Sequence, residues 1–171
     1  MKDCDNKVLA ICIPSYNRCD ALCKLVEHLL SCKDSRFCVH VSDNCSIDAT
    51  LERLSAITDE RLSVTSTISN IPAYDNYHNA IITARADFAL LLLDKETLDT
   101  SLIPDYIDFL LEKKPVFGIL GNRFKIPAEE RYCVYLAGNE AIMRGGVMVI
   151  HTRQGSITQQ KSIRNVATMR I

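Results

Sequence analysis

The chain has 171 residues, of which 47% are hydrophobic, and a formal net charge of -1 at pH 7. This length suits one domain around a single core, and the near-neutral charge gives no reason to expect nucleic acid as a partner. The apolar runs are shorter than the roughly 20 residues of a membrane-spanning helix, and the N-terminus is too acidic and too short for a signal peptide. We therefore expect a cytoplasmic protein with no transmembrane segment.

Strands and helices are predicted to alternate from the start of the chain. An apolar run at 8–13 predicts the first strand, and apolar residues spaced three and four apart at 22–30 predict a helix that packs on a sheet. A second strand is predicted at 37–41. The helix that follows carries apolar residues at 51–57, and Asp48 is suited to the positive end of its dipole.

The alternation continues to residue 120. A weaker strand pattern at 62–67 precedes a third helical stripe at 73–84. The run at 88–93 is apolar on both faces, which is typical of a central strand in a parallel sheet. A fourth helix at 103–110 and a short strand at 116–120 complete the pattern. This order predicts an α/β fold with right-handed crossovers.

The eight cysteines are expected to be reduced thiols. Several of them lie in the predicted strands and first helix, where cysteine behaves as a small apolar residue. Cys19 and Cys23 lie four residues apart on that helix, but no CxxC pair accompanies them. The pattern therefore does not favour a zinc site.

Polar residues follow three of the predicted strands directly. They are Pro14–Asn17, Ser42–Ser46 and the acidic stretch Asp94–Glu96. In an open α/β sheet the ligand crevice lies beyond the carboxyl ends of the strands, so we expect these side chains to converge. The pattern indicates one nucleotide pocket with a divalent metal beside a phosphate.

The end of the chain has a different character. Periodicity fades after Gly121, and residues 141–171 contain no Asp or Glu. The five cations of this tail are Arg144, Arg153, Lys161, Arg164 and Arg170. A solvated basic end and a patch for a phosphate-rich partner are both compatible with this composition.

Four motifs in the same order and spacing resemble the family 2 glycosyltransferases of the GT-A fold. They are IPSYNR at 13–18, SDNCSIDAT at 42–50, Asn70 with HNAI at 78–81, and LLLLDKETL at 90–98. The resemblance implies a Rossmann-like, mostly parallel sheet flanked by helices in a single domain. Residues 1–122 are then the nucleotide-sugar-binding α/β domain, and residues 123–171 are a shortened acceptor-side segment with the basic tail.

The resemblance implies that the loop after the first strand holds the nucleotide base. Tyr16 stacks on the ring, and Asp43 accepts a hydrogen bond from an imide N–H such as that of uracil, which favours UDP-linked sugars. Asn70 and His78 flank the start of the third helix, which in this family approaches the nucleotide and its phosphates. The implied nucleotide-binding residues are Pro14, Ser15, Tyr16, Asn17, Asp43, Asn70 and His78.

The resemblance also implies a Mn²⁺ or Mg²⁺ ion held by Asp94 and Glu96. The family's DxD motif corresponds to Asp94-Lys95-Glu96, and these cations prefer hard oxygen ligands and offset charge on the diphosphate. Lys95 stands where many members have a second aspartate. A cation there opposes metal binding if it points inward, or it contacts phosphate directly in a less metal-dependent site.

Inverting transfer requires a general base that deprotonates the acceptor hydroxyl. In this family the base comes from the second half of the domain, but Glu140 is the last carboxylate residue here, so no catalytic residue is assigned. His151 is an alternative base.

Two functions therefore stay open. The first is transfer of a sugar from a nucleoside diphosphate sugar to a glycan or other hydroxyl acceptor with inversion. The second is a non-catalytic nucleotide-sugar-binding module, either a truncated relic or a subunit completed by a partner. An oligomer is compatible with either function. A receiver domain is disfavoured, because it would place an acidic cluster where this chain has Pro14–Asn17.

Overall fold

A computed structural model of the protein describes residues 4–113, 117–120 and 147–151. The predicted strands and helices are all found, and a sixth strand is added. The elements in chain order are β1 (Leu9–Ser15), α1 (Cys19–Leu30), β2 (Phe37–Asp43), α2 (Thr50–Ser55), β3 (Leu62–Ser66), α3 (Ala73–Thr83), β4 (Phe88–Leu91), α4 (Ile103–Lys113), β5 (Phe117–Leu120) and β6 (Val147–His151).

The strands form one sheet in the order β3-β2-β1-β4-β6-β5. β3, β2, β1 and β4 are parallel, and β6 runs antiparallel to both β4 and β5. The predicted α/β fold with a mostly parallel sheet is confirmed. β6, which inserts between β4 and β5, was not predicted from the sequence. The division of the chain at residue 122 stays a prediction, although β6 belongs to the same sheet.

Helices cover both faces of the sheet, which is why β1 is buried along its whole length. On one face α1, α2 and α4 bury large side chains such as Leu22, Leu54 and Tyr106 against alternate residues of β1. On the other face α3 packs through Ala80 and Ala84 on a surface of small residues. Each fully buried leucine contributes about 1.5–3 kcal/mol, so the first face carries most of the hydrophobic stabilisation.

A disulfide joins Cys4 to Cys38 on the α3 face of the sheet, so the expectation of reduced thiols is wrong for this pair. The two residues are 34 positions apart and come together because the segment before β1 folds back beside β2. The free cysteines among the described residues are Cys12, Cys19, Cys23, Cys32 and Cys45. Burial raises the pKa of the Cys12 thiol, which keeps it protonated and unreactive.

Within residues 4–113, no helix is long and apolar enough to cross a bilayer. The most extended of these helices, α1, has 12 residues.

Candidate functional site

An open pocket of about 230 Å³ lies at the carboxyl ends of β1 and β4, against the first turn of α3. This is the edge of the sheet where ligands of α/β folds bind. Sites that enclose a drug-sized ligand measure roughly 300–1,000 Å³, so this pocket holds only part of a larger molecule. Its lining residues are Pro14, Ser15, Tyr16, Arg18, Asn44, Ala73, Asn76, Tyr77, Leu93, Asp94 and Lys95.

Four of these residues are ligand contacts predicted from the sequence, namely Pro14, Ser15, Tyr16 and Asp94. The lining does not include five other predicted site residues: Asn17, Asp43, Asn70, His78 and Glu96. The lining also includes residues of the sequence motifs to which no role was assigned, such as Arg18 of IPSYNR and Asn44 beside Asp43. Asn76 and Tyr77 had no motif of their own, and only their place on the third helix pointed to them.

The loop between β1 and α1 presents Tyr16, whose side chain is 43% exposed at the pocket. Asn17 follows in the left-handed region, with φ 52°, a conformation that asparagine tolerates better than most residues. Its side-chain oxygen accepts from Ile47 N at 2.9 Å, and its own N–H donates to Ser46 Oγ at 2.9 Å. Asn17 therefore fixes the loop against the β2–α2 loop.

Asp48 connects the ends of the same two loops through hydrogen bonds. One carboxylate oxygen accepts from Cys19 N at the start of α1, and the other accepts from Thr50 N at the start of α2. These bonds lower the pKa of the Asp48 carboxyl, with the Thr50 hydroxyl as the main cause. One side chain thus accepts a backbone N–H from the first residue of each of two helices, α1 and α2.

Asp43 ends β2 beside Ser15, its partner in β1, and its side chain is fully buried. Oδ2 accepts from Ser46 N at 3.0 Å and from Ser66 Oγ at 3.1 Å. Oδ1 is buried with no hydrogen-bond partner in the part of the chain that the structure describes. A buried acceptor without a donor costs about 1–3 kcal/mol, so an N–H that reached this oxygen would remove that cost.

Asn70 holds the chain that leads from β3 to α3. Its amide donates to Asn44 O at 3.2 Å, while the Asn44 side chain exchanges two hydrogen bonds with the backbone of Ile71, at 2.7 and 2.9 Å. These bonds fasten the segment to the end of β2. Asn70 is therefore bonded within the protein and shapes the pocket through its neighbour Asn44.

Three hydrogen-bonded polar residues, Ser42 of β2 and Asn76 and Asn79 of α3, form a polar seam that sets the position of the helix. Asn76 is buried and bonds Ser42 twice, accepting from its hydroxyl at 2.7 Å and donating to its carbonyl at 3.0 Å. Asn79 donates to the same hydroxyl at 2.9 Å. The seam brings Asn76 and Tyr77 to the pocket, whereas the half-buried His78 lies outside the lining.

The loop after β4 carries the predicted metal ligands. Asp94 Oδ2 lies 3.5 Å from Arg18 Nε and accepts from Ser15 Oγ at 3.3 Å. Glu96 Oε2 instead accepts from Leu93 N at 3.0 Å. The two carboxylates are engaged with different protein donors, and the residues that the structure describes contain no group of three His, Cys, Asp or Glu able to hold a metal ion. This arrangement does not fit a divalent cation held by Asp94 and Glu96.

Solved structures of other proteins share this architecture. A search of curated proteins finds no match. Among solved structures, S. aureus TarS in complex with UDP-GlcNAc is 19% identical, with a TM-score of 0.63 over 91% of this chain and 47% of that one. Mannosyltransferase PcManGT from Pyrobaculum calidifontis, in complex with GDP-Man and Mn²⁺, is 12% identical, with a TM-score of 0.58 over 72% of this chain and 38% of that one.

These likenesses confirm the predicted GT-A fold, and the chain spans less than half the length of the structures it matches. The sequence profile of glycosyl transferase family 2 matches residues 10–156. The match takes in every strand from β2 to β6, nearly all of β1 and all the loops that line the pocket. The chain therefore belongs to glycosyl transferase family 2.

Proposed function

We propose that the pocket binds a UDP-linked sugar and that the chain transfers the sugar to a hydroxyl of a glycan or other acceptor with inversion. The observation that carries the proposal is that an exposed aromatic ring, Tyr16, and a buried acceptor without a donor among the described residues, Oδ1 of Asp43, lie at neighbouring strand ends. A nucleobase needs both a stacking surface and a partner for its polar edge.

The base is expected to lie between the loop of Tyr16 and the end of β2. Asp43 sits in register with Ser15, the residue before Tyr16, so the ring and the carboxylate approach the same edge of the sheet. An imide N–H of uracil donates to Oδ1, which removes the cost of a buried acceptor without a donor. Cytosine presents an acceptor at that ring position and would leave Oδ1 unsatisfied.

The transfer step needs a base, and the carboxylate in the pocket lining, Asp94, is paired with Arg18. The base takes the proton of the acceptor hydroxyl, whose oxygen attacks the anomeric carbon as the bond to the diphosphate breaks on the opposite face. His151 is poorly placed for this role, because it pairs with Phe88 at the start of β4, about 10 Å along the strand from Leu91. Glu140 lies outside the described residues and is the base we propose.

A second function has one observation in its favour. The sequence carries no Asp or Glu after Glu140, so a carboxylate base from the last 31 residues is impossible. A nucleotide-sugar-binding module, completed by a partner or by a second copy, needs only the donor pocket. The cytoplasmic location and the oligomer stay predictions.

Calorimetric titration with UDP, GDP and CDP tests the donor site. We expect UDP to bind tightest, and Tyr16→Ala to weaken it by about 1–3 kcal/mol through the lost stacking contact. Leu111→Ala is the matched control, since Leu111 is also 43% exposed but lies on α4. Equal affinity of wild type and Tyr16→Ala for UDP, with unchanged circular dichroism, would refute the base site.

A turnover assay across nucleotide sugars and hydroxyl acceptors then separates the two functions. If the chain is a transferase, Glu140→Gln should lower the rate by about 10²–10⁴-fold while UDP affinity is retained. Tight UDP binding without transfer to any acceptor would favour the binding module.

A further inference from the structure

The pocket carries more positive than negative charge. Its charged lining residues are two cations, Arg18 and Lys95, and one carboxylate, Asp94. Among residues 4–112, no carboxylate forms an ion pair with Lys95. Two basic side chains attract a diphosphate and repel a divalent cation at the same position.

The carboxylate at this position already has a cation. Arg18 Nε lies 3.5 Å from Asp94 Oδ2, and Ser15 Oγ donates to the same oxygen. The Asp94 side chain is 16% exposed and that of Arg18 is 51% exposed, so the acid is sheltered behind the base. The ion pair uses Nε and leaves both NH₂ groups of the guanidinium for a second anion.

The loop after β4 turns Lys95 toward the pocket in place of Glu96. Glu96 N donates to Leu93 O at 2.9 Å, and Glu96 Oε2 accepts from Leu93 N at 3.0 Å. These two bonds close a turn in which the glutamate carboxylate is bonded to the loop backbone. Lys95, between them, is the exposed residue that lines the pocket.

We propose that this chain binds the diphosphate of its donor through Arg18 and Lys95 without a divalent cation, and that Asp94 is a positioning residue that holds Arg18. The proposal rests on the proposed function, because it concerns the same nucleotide. It differs from the sequence-based prediction of Mn²⁺ or Mg²⁺ at Asp94 and Glu96 in one measurable respect. Chelation of metal should leave the affinity for UDP unchanged.

Calorimetry of the full chain with UDP, in EDTA and in saturating Mn²⁺, tests this difference. We expect the two dissociation constants to agree within about twofold, and Arg18→Ala and Lys95→Ala each to weaken UDP by about 10- to 100-fold in EDTA. Lys95→Arg should retain most of the affinity. Lys33→Ala is the matched control, because it removes an exposed lysine outside the pocket.

Uridine, which lacks phosphates, separates a charge effect from a change in the base site. We expect wild type, Arg18→Ala and Lys95→Ala to bind uridine alike. UDP binding that requires Mn²⁺ would overturn this proposal and leave the proposed function standing. Failure of UDP, GDP and CDP to bind under either condition would overturn both.

Discussion

Replacing Asp43 by asparagine should lower the preference of the pocket for UDP over CDP. Oδ2 of Asp43 accepts from Ser46 N and from Ser66 Oγ, so the amide oxygen of the substituted side chain must occupy that position. The NH₂ group then occupies the position of Oδ1, which has no donor among the described residues. The substitution therefore converts an open acceptor into an open donor with little change in shape.

The magnitude follows from the hydrogen bonds lost and gained. UDP loses a bond to a charged acceptor, worth about 1.5–3 kcal/mol, and CDP gains a neutral bond of about 0.5–1.5 kcal/mol at its ring nitrogen. The preference for UDP over CDP should fall by about 2–4.5 kcal/mol, or about 30- to 2,000-fold. Calorimetric titration of Asp43→Asn with both nucleotides measures this change directly. If UDP and CDP weaken equally in a variant that unfolds at the wild-type temperature, Oδ1 does not contact the base.

Three further predictions concern charge, pH and the disulfide. Lys95→Asp should lower the affinity for UDP in EDTA and regain affinity in Mn²⁺, since the substitution replaces a cation by a metal ligand. An affinity of this variant that does not change with Mn²⁺ would contradict the electrostatic explanation. The Thr50 hydroxyl lowers the pKa of Asp48, so the ionised carboxylate stabilises the fold fully above its ordinary pKa, and this stabilisation is lost as the pH falls below about 4. In urea unfolding, the free energy of unfolding should fall less steeply with decreasing pH in Asp48→Ala than in the wild type. An identical pH dependence of the two proteins would count against this role. Reduction of Cys4–Cys38 opens a 34-residue loop and should lower the unfolding free energy by about 3–4 kcal/mol, and a non-reducing digest without the linked peptide would refute the bond.

The sequence predicts the parts of this fold that depend on local periodicity. Leu22 and its neighbours at helical spacing bury one face of α1, and the apolar run that begins at Phe88 becomes a strand beside β1. The polar residues that follow β1 and β4 converge at one edge because parallel strands end together. This is why the sequence alone predicts that Ser15, Tyr16 and Asp94 lie at one pocket, whose lining contains all three.

Other features depend on contacts between distant segments, which periodicity does not report. β6 pairs with Phe88–Leu91 of β4 across more than fifty residues of sequence, and nothing local marks it as an inserted strand. A polar residue at a strand end has two uses that look the same in sequence, contact with a ligand or a bond within the protein. Asn17, Asn70 and Glu96 form bonds within the protein, and only the three-dimensional partners show this.

The antiparallel strand β6 also determines at which edge of the sheet β5 ends and β6 begins. β5 ends at Leu120, which pairs with Val147 at the start of β6, and Met148 pairs with Leu91 at the carboxyl end of β4. The chain therefore leaves the sheet and returns to it at the edge that carries the pocket. If β6 ran in the opposite direction, its first residue would lie at the far edge of the sheet, where its last residue, His151, lies now. The end of β5 and the start of β6 thus both lie at the edge of the sheet that carries the pocket.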